Sequence, residues 1–110
     1  MLSIYPVCFF KEENGYSVIF PDLDLATCGD TIEESMAMAI DCLAGRLCWL
    51  KREGDPIPKP SPMSAIDPAT ISKELEIKPS EAFVNMVSVD VEAYAKEHFN
   101  KSALLAKIQS

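Results

Sequence analysis

The sequence predicts an α+β fold: a three-stranded antiparallel meander with a fourth, C-terminal strand, covered by one long helix, in the order β-β-β-α-β-α. Two observations carry this prediction. Short segments with strand character and turn signals between them fill the first 28 residues, and a helical apolar repeat follows as far as Gly54. A chain of 110 residues with 48% hydrophobic composition is expected to form one globular domain.

The first two strands are expected to form a hairpin. Leu2–Phe10 is apolar on both faces, which is typical of a central or covered strand. The Asn14-Gly15 dipeptide is typical of a type I′ turn, because both residues tolerate positive φ angles. Tyr16–Phe20 is the predicted returning strand, and Leu25–Cys28 is a short third strand after an irregular corner.

A long helix is predicted from Asp30 to Glu53. Asp30 is expected to cap its first turn, with Glu33 reaching back in a capping box, and Gly54 is expected to end it. An apolar stripe about 80° wide runs along the helix and is expected to lie on the sheet. This stripe consists of Ile32, Met36, Ile40, Leu43, Leu47 and Leu50.

A second, weaker apolar line on the same helix cannot face the same sheet. It consists of Met38, Cys42, Gly45 and Trp49. Either the chain that leaves the helix folds back over this line, or the line contacts another subunit or protein, where Trp and Met are favoured. The sequence leaves both interpretations open.

The remaining segments alternate between extended and helical character. Asp55–Ser64 contains four prolines and is expected to be extended and polyproline-like. One helical turn is predicted at Ser72–Leu75, and Phe83–Val89 is the fourth strand. This strand is expected beside the first, which would otherwise leave an apolar edge exposed. A short helix is predicted at Val91–His98, and Lys101–Ile108 is either another helical piece or a frayed tail.

Charge and cysteine usage restrict the function. A net charge of −7 disfavours non-specific binding to nucleic acid and suits a basic protein partner. The four cysteines include no Cys-x-x-Cys pair, so a zinc site is not predicted. All four are expected to be free and buried, although Cys8 and Cys28 could be neighbours on adjacent strands. Free thiols, together with the lack of a signal-peptide pattern and of a long apolar run, predict a cytoplasmic protein.

The segment Phe20–Ser35 contains five carboxylates, which is the first place to look for a metal or acid–base site. The alternative interpretation is that these acids start the helix and form turns. His98 is interpreted as a helix-end residue, because the sequence identifies no nucleophile or pocket beside it. We therefore predict no catalytic residue, no metal ligand and no cofactor.

Several motifs occur together in an order and spacing that resemble the HicB-type antitoxin family. They are Asn14-Gly15-Tyr16, Phe20-Pro21-Asp22-Leu23, Thr27-Cys28-Gly29-Asp30-Thr31-Ile32-Glu33-Glu34, Gly54, Ile57-Pro58-Lys59-Pro60-Ser61 and Val87-Ser88-Val89-Asp90 to Tyr94. The resemblance covers about residues 3–94 and is specific as a combination, although each motif alone is weak.

The resemblance implies a partial ribonuclease-H-like fold and the antitoxin half of a type II toxin–antitoxin pair. The implied partner is a small basic HicA-type toxin that cleaves messenger RNA with a histidine, and the antitoxin blocks its RNA site. Family members self-associate, so a homodimer or higher oligomer is expected. Residues 1–94 are predicted to be the antitoxin domain and residues 95–110 a short helical tail. This tail is too short for a complete DNA-binding module, so direct DNA binding is not expected. Either that module is absent or the chain is a shortened product.

The predicted partner-binding residues are acids that capping does not use and the exposed apolar line of the helix: Asp22, Asp24, Glu34, Met38 and Trp49. The proline segment from Pro56 to Pro62 is a further candidate, because an extended strip loses little entropy on docking. Two alternatives remain. One is a metal-dependent nuclease of ribonuclease-H-like fold, which is disfavoured because residues 1–10 contain no Asp or Glu. The other is a stand-alone regulatory dimer without a toxin.

Overall fold

A computed structural model describes residues 1–99 of the chain. The elements are β1 (Leu2–Glu12), β2 (Gly15–Phe20), β3 (Leu25–Gly29), α1 (Ile32–Glu53), α2 (Pro68–Glu74), β4 (Glu81–Asp90) and α3 (Val91–Tyr94). They build one antiparallel sheet in the order β3-β2-β1-β4. The α+β class and the position of β4 beside β1 are confirmed, and α2 is longer than the single predicted turn. The helical piece predicted at Lys101–Ile108 lies outside the described residues.

The hairpin between β1 and β2 differs from the prediction in its turn. Glu12 pairs with Gly15, so Glu13 and Asn14 are the two loop residues. Among residues 1–99, the non-glycine residues with positive φ are Asp24 and Glu76. The prediction of a type I′ turn is therefore wrong, because this turn requires a positive φ at both loop residues. Gly15 has the unusual conformation instead, with φ 139°, and an added Cβ there would lie 2.5 Å from the Gly29 carbonyl oxygen.

The start of α1 is shifted by one residue from the prediction. Thr31 is the N-cap, and its Oγ1 accepts the backbone N–H of Glu34 at 3.1 Å. Glu34 Oε1 accepts the backbone N–H of Asp30 at 3.4 Å. The predicted capping box of Asp30 and Glu33 is therefore wrong. Thr31 and Glu34 form the capping box instead. The predicted end is confirmed, because Gly54 adopts a left-handed conformation after Glu53.

The core lies between α1 and one face of the sheet. The sheet contributes Tyr5, Val7, Phe9, Val18, Phe20, Val87 and Val89, and α1 contributes Ala39, Leu43, Ala44 and Leu47. The predicted stripe does face the sheet, although Ile32, Met36, Ile40 and Leu50 are only half-buried. The fully buried residues of α1 include the small side chains Ser35, Ala39 and Ala44, which the predicted stripe did not contain.

The opposite face of the sheet is covered by the connection from α1 to β4. Along β1, the fully buried Pro6, Cys8 and Phe10 alternate with the residues of the core. The connection begins near the start of β1, where the Tyr5 hydroxyl donates to the Pro58 carbonyl oxygen. It ends near the other end of β1, where the Ser80 N–H donates to the Lys11 carbonyl oxygen at 2.9 Å. This path explains why β1 is apolar on both faces and why β4 runs antiparallel to it.

The C-terminal part of the described chain packs back on α1. α3 and the π-helical turn at Ala95–Phe99 together occupy the predicted helix Val91–His98. The Tyr94 hydroxyl donates to Asp41 Oδ1 at 2.9 Å, and Phe99 packs against the core. Among the helices of residues 1–99, none is long and apolar enough to cross a membrane.

The cysteines are free but not all buried. Cys8 is buried, Cys42 and Cys48 are half-buried, and Cys28 is exposed. The prediction of burial is therefore wrong for Cys28, because it lies on the edge strand β3. Cys8 and Cys28 are not on adjacent strands either, since β2 lies between β1 and β3. Burial, with a smaller contribution from the charge of Asp67, raises the pKa of Cys8 to about 11.

Candidate protein-binding surface

The second apolar line of α1 runs alongside β3, which is an edge strand of the sheet. Cys42 lies on this line between Met38 and Trp49, and its thiol donates to the Ala26 carbonyl oxygen at 4.0 Å. One turn further along, Arg46 Nη1 donates to the Leu23 carbonyl oxygen at 3.0 Å. The first contact places the line next to β3, and the second places the following turn of α1 next to the corner before β3. The β3-edge surface is defined here as Asp24, Ala26, Cys28, Met38 and Trp49.

Only part of the second apolar line is covered by the chain. A Cβ added at Gly45 would lie 4.0 Å from the Phe99 ring, so the C-terminal segment does fold back at this point. Met38 and Trp49 remain 40% and 47% exposed. The chain itself therefore covers the line at Gly45, whereas contact of Met38 and Trp49 with another protein stays a prediction. Exposed Met and Trp beside an unpaired strand edge are typical of a protein-binding surface.

Asp24 lies at the corner between β2 and β3 and is exposed. Its backbone is left-handed, with φ 48° and ψ 55°, a conformation that Asp tolerates better than most residues. Its carboxylate forms no hydrogen bond or ion pair with another of the described residues. The Asp24 carboxylate is therefore not used by the described part of the chain, and its contact with a partner stays a prediction.

Asp22 and Glu34 are already used within the chain, which the sequence did not predict. The Asp22 carboxylate accepts the backbone N–H of Ser61 at 2.8 Å and its hydroxyl at 2.6 Å. Asp22 therefore holds the proline-containing segment, residues 55–62, which has no regular secondary structure. Glu34 is exposed but engaged at the start of α1. The prediction that capping does not use Glu34 is therefore wrong, and contact of either acid with a partner stays a prediction.

The structure adds residues of α2 that sequence reasoning missed. α2 and the strands β2 and β3 border a groove of about 290 Å³. Its apolar lining includes Ile19, Leu25, Ile71 and Leu75, and its acidic residues are Asp24 and Glu74. Asp67 before Pro68 is a sequence signal for the start of α2, because Asp caps helices and Pro favours their first position. No sequence signal places α2 beside β3.

The carboxylates of Phe20–Ser35 do not converge on one point. Within residues 1–99, no group of three or more His, Cys, Asp or Glu side chains is placed to hold a metal ion. Asp22 bonds to Ser61, and Glu34 bonds at the start of α1. The Asp24 carboxylate bonds to no other described residue. The His98 ring stacks on Tyr94 with 4.1 Å between ring centroids. The acids of this segment are structural or exposed, as in the second of the two sequence interpretations.

Comparison with known proteins gives a consistent family assignment. The family model for the HicB_like antitoxin of bacterial toxin-antitoxin systems matches residues 4–72. Antitoxin HicB 2 of Photorhabdus laumondii subsp. laumondii is 45% identical over 58 residues, which are 52% of this chain and 42% of that protein. The chain thus spans about two fifths of the length of this curated relative.

Solved structures show the same fold. A toxin–antitoxin complex from Streptococcus pneumoniae contains a chain with a TM-score of 0.71 and 31% identity, covering 86% of this chain and 73% of that one. A HicA3 and HicB3 toxin–antitoxin complex gives a TM-score of 0.58 and 28% identity, covering 76% of this chain and 94% of that one. Together with the match over residues 4–72, these likenesses show that the chain belongs to the HicB-like antitoxin family of bacterial toxin–antitoxin systems.

Proposed function

We propose that this chain is an antitoxin that binds a small basic HicA-type toxin and blocks the toxin's RNA site, so that messenger RNA is not cleaved. The observation that carries the proposal is the likeness to chains of solved toxin–antitoxin complexes, over 86% and 76% of this chain. A charge of −7 supports it, because complementary charge speeds the encounter with a basic partner. Such a complex forms in the cytoplasm, where messenger RNA is translated.

The β3-edge surface is the proposed contact with the toxin. Met38 and Trp49 supply the exposed apolar side chains that carry much of the binding energy in protein interfaces. The free edge of β3 offers backbone donors and acceptors that an extended segment of a partner can use. Asp24 adds a free carboxylate at one end of this surface. Glu34 lies in the first turn of α1, just after β3, and Asp22 supports the neighbouring proline segment.

Inhibition by binding requires no catalytic residue, and we infer that the chain is not an enzyme. A metal-dependent nuclease is the less favoured alternative, because β1 contains no acid before Glu12. Self-association is part of the proposal, since the resemblance implies a homodimer or higher oligomer. A stand-alone dimer without a toxin is the third alternative. We also propose that residues 1–94 form the antitoxin domain.

The direct test begins with the reading frame next to this gene, which is expected to encode a small basic protein. Expression of that protein alone is expected to stop growth and degrade messenger RNA. Co-expression with this chain is expected to restore growth, and the two purified proteins are expected to form a stable complex. Absence of rescue and of a complex would overturn the proposal. Divalent-metal-dependent RNA cleavage by the purified chain, abolished by a chelator and restored by added metal, would instead establish the nuclease.

A matched pair of variants tests the contact surface. Trp49→Ala is expected to weaken toxin binding by about tenfold or more, because truncating a central aromatic anchor costs about 2 kcal/mol. Met63→Ala is the control, since Met63 is 48% exposed but lies in the 3₁₀ turn at Met63–Ala65, which contacts β4. Equal toxin affinity of the two variants in calorimetry would contradict the proposed surface.

A further inference from the structure

We propose that the groove between α2 and the strands β2 and β3 receives a lysine or arginine side chain of the toxin. This inference rests on the proposed function and names the partner chemistry at one end of the proposed surface. The groove adds Ile71, Glu74 and Leu75 to the predicted binding residues. The groove combines an apolar floor with two carboxylates that have no partner among the described residues, and this combination suits a long basic side chain.

The floor of the groove is apolar and accessible. Ile19, Leu25 and Ile71 are half-buried, so part of each side chain still faces solvent. Leu75 is 48% exposed at the rim, directly after the end of α2. A volume of about 290 Å³ is at the lower end of the usual range for ligand sites. The groove therefore suits a single long side chain better than a separate ligand of drug size.

The two acids of the groove are not neutralised by the chain itself. Neither Asp24 nor Glu74 forms a hydrogen bond or an ion pair with another of the described residues. Asp22 and Asp67, by contrast, are engaged, Asp22 with Ser61 and Asp67 with the first turn of α2. Two uncompensated carboxylates beside apolar walls produce a local negative potential that attracts a cation.

A lysine or arginine side chain satisfies both features of the groove. Its alkyl stem covers apolar surface, while its charged head remains at the acids. Arginine fits especially well, because its planar donor groups can bond to more than one carboxylate oxygen. A basic toxin presents many such side chains, whereas this chain carries only 10 basic against 17 acidic residues. Charge complementarity therefore favours the toxin over a second copy of this chain.

The test removes the two charges without changing the backbone. The variant Asp24→Asn with Glu74→Gln keeps a residue tolerant of the left-handed conformation at 24 and a good helix former at 74. The control, Glu13→Gln with Glu81→Gln, removes two other acids that are exposed and free within the described residues. Both variants carry the same net charge. Thermal melting checks that both remain folded.

Affinity for the purified basic protein of the neighbouring frame is then measured with the full chain by calorimetry and stopped flow. The groove variant is expected to bind at least tenfold more weakly, mainly through faster dissociation. The control is expected to change less than threefold, mainly through slower association at low salt. Equal effects of the two variants would overturn the inference. If the unmodified chain does not bind the toxin, the proposed function fails, and the inference falls with it.

A charge exchange identifies the side chain that enters the groove. Glu74→Lys is expected to lose binding, and reversal of one toxin lysine or arginine to glutamate is expected to restore it at least tenfold. Failure of every single reversal to restore binding would overturn the inference. The groove would belong to a second copy if the Asp24→Asn and Glu74→Gln variant altered self-association in sedimentation but left toxin affinity unchanged. That result would likewise overturn it.

Discussion

The Asp22 carboxylate holds Ser61, 39 residues further along the chain, by accepting both its backbone N–H and its hydroxyl. A second contact, from the Tyr5 hydroxyl to the Pro58 carbonyl oxygen, fixes the same segment three residues earlier. The proline-containing segment is thus fastened to the end of the sheet at two points. The acid that looked available for a metal or a partner is a structural residue in this chain.

Asp22→Ala is expected to lower the free energy of unfolding by about 1–3 kcal/mol, because two hydrogen bonds to a charged acceptor are lost. The Ser61 amide is expected to exchange faster with deuterium. Asp55→Ala is the control in the same segment, because the exposed Asp55 carboxylate bonds to no other described residue and the backbone bond from Asp55 to Leu50 survives the substitution. This variant is expected to change stability by less than about 0.5 kcal/mol. Unchanged protection of Ser61 in Asp22→Ala would contradict the structural role.

Gly29→Ala is expected to destabilise the chain by about 1–3 kcal/mol through overpacking. An added Cβ at Gly29 would lie 2.6 Å from both the backbone nitrogen and the Oγ of Ser35, and neither α1 nor β3 can move without disturbing the core. Gly45→Ala is the matched control. Its nearest neighbour, Phe99, is at 4.0 Å, so the better helix propensity of Ala is expected to stabilise the chain by about 0.5–1 kcal/mol. Urea unfolding measures the change in stability of both variants. If both changes had the same sign, the close packing of Gly29 against Ser35 would be contradicted.

Thr31→Ala is expected to cost about 0.5–2 kcal/mol, because the helix loses the acceptor for the Glu34 N–H. Asp30→Ala is expected to cost only a few tenths of a kcal/mol, since the Asp30 carboxylate bonds to no other described residue and acts only through the helix dipole. Thermal unfolding of the two variants distinguishes the caps. A larger loss of stability in Asp30→Ala than in Thr31→Ala would instead support the cap at Asp30 that the sequence predicted.

Thiol labelling is expected to separate the cysteines by position. Cys28 is exposed and should react first with a thiol reagent at pH 8. Cys8 is buried, and a pKa of about 11 leaves about 0.1% of it as the reactive thiolate at that pH. Mass spectrometry of the digested product assigns each site. Cys8 is expected to react only after denaturant is added, and rapid labelling of Cys8 in the folded chain would contradict its burial.

Ionisation of the Tyr5 hydroxyl is expected to make the free energy of unfolding decrease at high pH. Burial, together with the negative charge of Asp22, raises the pKa of Tyr5 above 10.0, so the folded chain keeps the phenolic proton longer than the unfolded chain. Its contribution to stability is therefore complete below about pH 10 and is lost as the pH rises through the folded pKa. Tyr5→Phe has no group to ionise, and its unfolding free energy is expected to fall less steeply above pH 10 in urea titrations. Parallel slopes for the two proteins would contradict this assignment.

The sequence alone determined the order of the elements and most of their limits. Strand alternation, the helical repeat from Ile32 to Leu50 and the stop at Gly54 are local patterns, because backbone propensity and side-chain period act over a few residues. The spacing of short motifs also identified the family, and the match over residues 4–72 confirmed it. Among the candidate binding residues, Asp24, Met38 and Trp49 were found in this way and are exposed.

Only the tertiary structure decided which side chains remain available. Asp22 and Asp24 are two residues apart and look alike in the sequence, yet Asp22 is bonded to Ser61 and Asp24 is free among the described residues. The covering of the second sheet face and the groove beside α2 likewise depend on where the long connection passes. Such contacts join residues far apart in the chain, and no local pattern encodes them. They follow from the packing of the whole domain, which buries Asp22 partly and leaves Asp24 at its surface.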